Sequence, residues 1–526
     1  MKIKLLSGLA LGLCALSSWG HVNVQDVSGA RIYDFSVDSI RISQKNIDGL
    51  DYQTAKMVGV EGYEGIHYQI GAPELPVIRF EVSANSASDI LITERNFKSA
   101  LSYKVNNLRP VFEAVEKVPG ARYMLSKSSS LNITESYSIK ELGSVRGQKN
   151  FLVTLYPVQF LNNSLSISRS FGIEVKLTNA EKAVDKKGLV FVVGNTFKSS
   201  PSLAKYVALK MSLGFEVDQI DAGTMDADQI RTEIKALYSR KPQLKYAIIV
   251  GDAEDVPAKD SNVISGITDH YYASIDTADY STDILTPDLK VGRFSVTSEK
   301  ELAVLVDKYS LYIKGNFTNM SWISHLAFLA TDDRYEVAEA THNYVSDTYT
   351  KVKGYTGSFP RANEAGGDKL YAITHKAATG DVMKSLLKGR SIVNYSGHGA
   401  TTYWAGPEID QDNVRSLNYS SLPFVISNAC ITGDFRVTES FAETWQRHQW
   451  GAVMFWGSMD STYWDEDDIL EKRMYDGIFK DKKLIFGEIT HNALTELAKF
   501  YGGEGSSAYY WETYHMFGDP SMDLRL

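Results

Sequence analysis

Two short apolar runs constrain this chain more than anything else in it. The stretch from Ser391 to Phe435 reads SIVNYSGHGATTYWAG, a polar interlude, and then SLPFVISNACITGDF. Ser391 to Tyr395 and Phe424 to Ser427 have the length and bounding residues of buried strands. Each run ends in a reactive residue among small ones: His398 between Gly397 and Gly399, and Cys430 after Ala429. Parallel strands in an open α/β sheet deliver such residues to one carboxyl edge, where sites are built. Small neighbours let a substrate backbone come close. Either residue alone reads more readily as structural, a core cysteine or a loop histidine. Together they point to a dyad, with Cys430 as nucleophile and His398 as its proton acceptor.

Cysteine usage sharpens this. Lys2 and Lys4 precede an apolar run from Leu5 to Leu16, followed by Ser17, Ser18, Trp19 and Gly20. That is the pattern of a secretory signal peptide over residues 1–20, so export is expected. Of the chain's two cysteines, Cys14 leaves with the leader. Cys430 then has no internal disulfide partner, and a lone thiol in an exported protein calls for a chemical reason. No later run is long and apolar enough to span a membrane. The net charge of −9, with no basic block, argues against a nucleic-acid partner.

Length and patterning suggest several domains. From 21 to 187 the chain reads as a β-sandwich-like region of antiparallel strands, among them Ala30 to Val37, Val77 to Val82, Phe151 to Leu155 and Ile173 to Leu177. It closes in a charged linker, Glu181 to Lys187, with a dibasic Lys186-Lys187. At Gly188 buried strands begin to alternate with helices, which implies a parallel sheet covered on both faces. Expected helices include Pro201 to Leu213, Asp226 to Arg240, Ser298 to Lys314, Val337 to Lys351, Ser440 to Gln449, Ile469 to Phe479 and Phe486 to Tyr501. The segment from Asp269 through Asp276, Asp279, Asp283 and Asp288 is rich in carboxylates. It reads either as an acidic surface loop or as oxygen ligands for a hard cation.

NYSGHG with TTYW after it, then PFVISNACITGDF, resembles the gingipain family of cysteine endopeptidases. YAIIVGDAEDVP, TDHYY, PDLKVGRFSV and the terminal FGDPS are similar to further blocks of that family, from Gly188 to the end. The resemblance implies a caspase-like α/β/α sandwich in two subdomains, 188–325 and 326–526, preceded by a pro-domain. It also implies secretion as a zymogen and cleavage of protein or peptide substrates after basic residues, with no catalytic cofactor.

Residue by residue, His398 matches the family's catalytic histidine and Cys430 its nucleophile. Asp333, or Asp332 one step away, matches the acid that orients the imidazole, expected at Nδ1. The backbone N–H groups of Gly399 and Cys430 are the expected oxyanion donors. Trp464 and Asp467 resemble the pocket of the lysine-specific branch, as wall and charge, with Ser396 also counted to the pocket. Glu339 falls where the arginine-specific branch places its acid. The plain alternative for Asp465 to Asp468 is a solvated helix N-terminus. Lysine is expected ahead of arginine. Asp252, Asp279 (or Asp283) and Asp288 fall near the family's metal positions and imply structural calcium. Two other functions compete with an endopeptidase: a sortase-like transpeptidase using the same dyad, and a non-catalytic secreted binding protein.

Overall fold

The computed structural model describes residues 22–124, 135–177, 187–419 and 421–526. The expected leader with Cys14, and the linker up to Lys186, lie outside these residues.

The N-terminal region is all-β. Strands Val22–Val27, Ala30–Phe35, Ile90–Lys104, Val158–Leu161 and Ser164–Lys176 form one antiparallel sheet. Glu64–Ile66, Pro76–Ala84, Tyr137–Val145 and Gln148–Leu155 form another. Inward residues from both, including Phe35, Phe80, Val82, Val153, Phe171 and Ile173, make one apolar core. This follows from the alternation of apolar and polar residues along the strands.

From Lys187 onward the chain builds a ten-stranded sheet. Its spatial order is Phe215–Asp221, Lys187–Val193, Leu244–Val250, Lys290–Phe294, Tyr514–Gly518, Met454–Ser458, Phe424–Asn428, Ile392–Ser396, Leu326–Ala330, Asp368–Tyr371. The first four strands are mutually parallel, and so are the last five. Tyr514–Gly518 lies between them, parallel to Lys290–Phe294 and antiparallel to Met454–Ser458. The two halves therefore run in opposite directions, joined by a strand from the chain's far end. Strand residues of alternating parity face opposite sides. Leu189, Phe191, Phe328 and Ile426 meet Leu203, Leu305 and Met474 on one face. On the other, Val190, Val192 and Ile249 meet Ile230 and Ile234, while Leu329, Val393 and Val425 meet Val382 and Trp445. Each such side chain, wholly removed from water, contributes about 1.5–3 kcal/mol before the entropy of ordering is counted. The result is the caspase-like α/β/α sandwich.

Helix ends follow their caps. Asp226 accepts from Gln229 N–H, Ser298 from Glu301 N–H and Ser440 from Glu443 N–H, each just before the first turn. One boundary differs from expectation in a way that matters. The helix expected from Ile469 begins at Trp464, so Trp464 through Asp467 form its first turn. That turn is not solvated: Asp467 is 2% and Glu466 3% exposed, because the N-terminal region lies over it.

Candidate active site

Four neighbouring parallel strands end at one edge and supply the site: Leu326–Ala330, Ile392–Ser396, Phe424–Asn428 and Met454–Ser458. Asp333, His398, Cys430 and the loop to Tyr463 follow them in turn. Gly399 is required by space, since a Cβ there would sit 2.7 Å from Thr432 Cγ2 and 2.8 Å from Cys430 O. Ile431, directly after the cysteine, is held at φ 49°, a left-handed conformation that a β-branched residue adopts only under constraint. The constraint is visible: Ile431 N–H donates to Asp460 O and Gly433 N–H to Ser458 O.

His398 Nε2 lies 2.9 Å from Asp333 Oδ2. Its Nδ1 donates to the main-chain oxygen of Lys117, in the N-terminal region, at 2.8 Å. Both partners only accept, an arrangement that the doubly protonated ring satisfies fully. Cys430 Sγ lies 3.5 Å from the same Lys117 oxygen and accepts from Thr462 N–H at 3.2 Å. Burial pushes the Cys430 thiol above its ordinary pKa, against the pull of the Thr462 N–H and the Lys117 ammonium.

Lys117 fills a closed pocket. Its Nζ lies 2.6 Å from Asp467 Oδ2 and donates to Asn428 O at 2.6 Å. The ammonium stands 4.8 Å from the centre of the Trp464 ring, which also meets the His398 ring edge-on. The other oxygen of Asp467 accepts from Tyr510 and Tyr514 hydroxyls at 3.0 and 2.8 Å. Lys117 and Asp467 side chains are 0% and 1% exposed, so neither charge has water to fall back on. Around Lys117 the chain lies as an added strand. Lys117 N–H donates to Thr462 O, Trp464 N–H donates to Val115 O, and Glu116 pairs antiparallel with Tyr463.

Several expectations are corrected here. Asp333 meets the imidazole at Nε2, not Nδ1, because the ring turns Nδ1 toward the cysteine side. Glu339 is not a pocket residue: it is buried on the helix Tyr335–Val345 and accepts from Thr374 N–H. Ser396 is buried in register with Asn428, and the contacts to the Lys117 ammonium come from Asp467, Asn428 and Trp464. The three metal candidates do not converge. Asp252 is bound by Arg447 and Ser295, Asp279 by the N–H and hydroxyl of Ser281, and Asp288 by Tyr238 and the N–H groups of Ile275 and Asp276. No group of three metal-binding side chains forms among the described residues.

Lys117, Asn428 and Thr462 do not stand out from sequence, whereas Tyr510 and Tyr514 lie in the terminal YYWETYH, which resembles the lysine-specific branch. Asn428 and Thr462 act through backbone atoms, which carry no side-chain signature. Lys117 had only the Pro119-Gly120 turn signal beside it.

The pattern of peptidase family C25 matches residues 186–525. Lys-gingipain of Porphyromonas gingivalis (strain ATCC 33277) is 23% identical over 543 residues, covering 86% of this chain and 30% of that protein. Gingipain R1 of Porphyromonas gingivalis is 24% identical, covering 93% of this chain and 54% of that protein. The chain thus spans about a third to a half of the length of these relatives. Among solved structures, the Arg-specific cysteine proteinase gingipain R aligns with a TM-score of 0.56 at 23% identity, over 65% of this chain and 79% of that one. A complex of Porphyromonas gingivalis RgpB pro- and mature domains aligns with a TM-score of 0.54 at 22% identity, over 64% and 79%. With the family pattern extending over well more than half of its length, the chain belongs to peptidase family C25.

Proposed function

We propose that this chain is a secreted cysteine endopeptidase that cuts after lysine in preference to arginine, and that its own N-terminal region holds it latent. The observation that carries the reading is Lys117, seated in the Asp467 pocket with its carbonyl against Cys430 and His398. A segment laid down as a strand, with one side chain buried in a charged slot and its carbonyl at a thiol, is in a substrate's posture.

In a cleavable peptide the thiol gives its proton to His398 Nδ1 and sulfur attacks the carbonyl carbon. The carbonyl oxygen takes the negative charge, for which the Cys430 and Gly399 N–H groups are the proposed donors. Asp333 steadies the imidazolium from the other side. The ring then protonates the departing amine, the carbon–nitrogen bond breaks, and water hydrolyses the thioester. Lys117 does not enter this sequence readily, because its oxygen accepts from the nitrogen that must take the thiol proton.

Preference for lysine follows from how Asp467 is spent. Two tyrosine hydroxyls occupy Oδ1, leaving Oδ2 alone to face the slot. One oxygen suits a compact ammonium, whereas a guanidinium fork seeks two.

Peptidyl chloromethyl ketones ending in lysine or arginine, applied to the activated protein under reducing conditions and followed by peptide mapping, test this. The reading expects alkylation at Cys430, faster with the lysyl reagent. Labelling led by the arginyl reagent, or falling elsewhere in the chain, overturns it.

A further inference from the structure

The segment that fills the pocket continues past Lys117, where the Tyr123 hydroxyl donates to Asp465 at 2.9 Å and an arginine gathers several groups of the N-terminal region. Val118-Pro119-Gly120-Ala121 form a turn, closed by Ala121 N–H on Val118 O, with Gly120 at φ 81°. Beyond it the chain reaches Arg334, the residue after Asp333. Arg334 Nη2 donates to Ala121 O at 2.5 Å. The same guanidinium forks onto Asp48, at 2.9 Å to Oδ1 and 3.3 Å to Oδ2, and lies 4.9 Å from the Tyr123 ring centre. Asp48 in turn accepts from Tyr123 N–H at 3.1 Å. Every one of these partners belongs to the N-terminal region.

The backbone of Arg334 is unusual as well. It sits at φ 42°, ψ 37°, left-handed, at the start of the helix Tyr335–Val345, where no side chain caps the first turn. Such a conformation is strained for an arginine and is held only where its surroundings fix it. Here it points the guanidinium along the leaving side of the cleft, next to the acid that orients His398. When the N-terminal region departs, Arg334 loses a carboxylate, a carbonyl and an aromatic face together, while its position beside the cleft remains.

We propose that Arg334 is a leaving-side subsite that recognises an acidic side chain of the substrate, in the place Asp48 holds in the latent chain. The proposal rests on the peptidase reading above. The turn brings Ala121 within about 7 Å of Val118. An extended substrate covers about 3.3–3.6 Å per residue, so it spans that distance in two residues. The acid is therefore read at the third residue after the cleaved bond.

The test uses quenched fluorescent peptides with lysine before the cleaved bond and asparagine at the four positions after it, with aspartate or lysine placed at each of the four in turn. They are assayed on the activated full-chain product as wild type, Arg334→Lys, Arg334→Gln and Arg334→Glu. The readout is kcat/KM for the bond after the first lysine, assigned by product mass because a placed lysine offers a second site. It is taken relative to the all-asparagine peptide within each variant, so a general loss of activity cancels. Wild type should favour aspartate at the third position on the order of fivefold, less at high salt. Arg334→Lys should keep part of that preference, Arg334→Gln should lose it, and Arg334→Glu should favour lysine there instead. A flat aspartate profile in the wild type, or a preference that survives in Arg334→Glu, overturns the subsite and leaves cleavage after lysine standing. A wild type that cleaves none of the peptides overturns the peptidase reading and the subsite with it.

Discussion

In the half of the large sheet that starts at Lys187, the acids beyond the strand Leu244–Val250 are taken up within the α/β fold itself. Asp252 binds Arg447 and Ser295, and Asp255 accepts from Thr196 N–H. In the half that starts at Leu326, the residues after the strands meet another segment instead: His398, Cys430 and Asn428 all reach Lys117. Both halves are parallel α/β units with helices on their faces. A strand end in such a sheet is a place where a site can be built. Whether one is built depends on groups left uncommitted by the fold. The same contrast separates Asp467, with one oxygen given to tyrosines and one to a lysine, from Glu339, whose carboxylate is spent on Thr374.

The sharpest break of this contrast is Cys430→Ala. Peptide hydrolysis should fall by about four decades or more, since no other described cysteine can replace the nucleophile. Unfolding by denaturant should shift little, and residual hydrolysis above a few per cent would contradict the assignment. Asp467→Asn comes next. It removes the charge partner of a buried cation, which costs about 2–5 kcal/mol, or roughly two to four decades in kcat/KM on lysine peptides. Lys117→Ala acts in the opposite direction. It empties the pocket and strands Asp467, at a docking cost of about 3–5 kcal/mol. Freshly purified full chain carrying it should be active with no lag, whereas wild type should show one.

The first half, with the helix Phe486–Tyr501 and the strand Tyr514–Gly518 that border it, should respond through stability and not through catalysis. Burial holds His270 down to about pKa 4, and His491 and His515 also below their ordinary range; all three line one cavity of about 30 Å³. An unfolded imidazole takes a proton near pH 6.5, while folded His270 refuses it until about 4. The unfolded state therefore binds more protons in that window, and stability is lost as pH falls from about 6.5 to 4. His270→Gln should flatten the pH dependence of the denaturation midpoint there; an unchanged slope would remove His270 from the account. The mildest effect is expected from Asp252→Asn, which leaves Arg447 its bond to Glu443. A loss of about 1–3 kcal/mol in unfolding free energy, with unchanged kcat/KM, is the expected result.

Sequence made the second half legible and the first half misleading for one reason. Apolar runs mark strands, and a residue type after a strand marks a position, but neither records what is already bonded there. His398, Cys430, Asp333, Trp464 and Asp467, which the fold brings to one sheet edge, stand out as candidates because their chemistry lies in their side chains. Asp252, Asp279 and Asp288 looked the same from sequence, and the fold consumed each one separately. Lys117 could not be foreseen, because its pocket exists only once a β-rich region some three hundred residues away from Cys430 folds against the sheet edge. A helix N-terminus at Asp465 to Asp468 is legible from sequence as the plain alternative; that Glu466 and Asp467 within it are covered is not.

The account turns on one claim: the pocket that holds Lys117 is the pocket that reads the substrate. The most direct measurement is kcat/KM on two fluorogenic peptides that differ only in lysine or arginine before the cleaved bond, for wild type and for Asp467→Asn. Wild type should prefer lysine, and Asp467→Asn should lose most of its lysine activity while its weaker arginine activity changes less. A wild type that prefers arginine, or an Asp467→Asn protein that keeps its lysine activity, would contradict the claim.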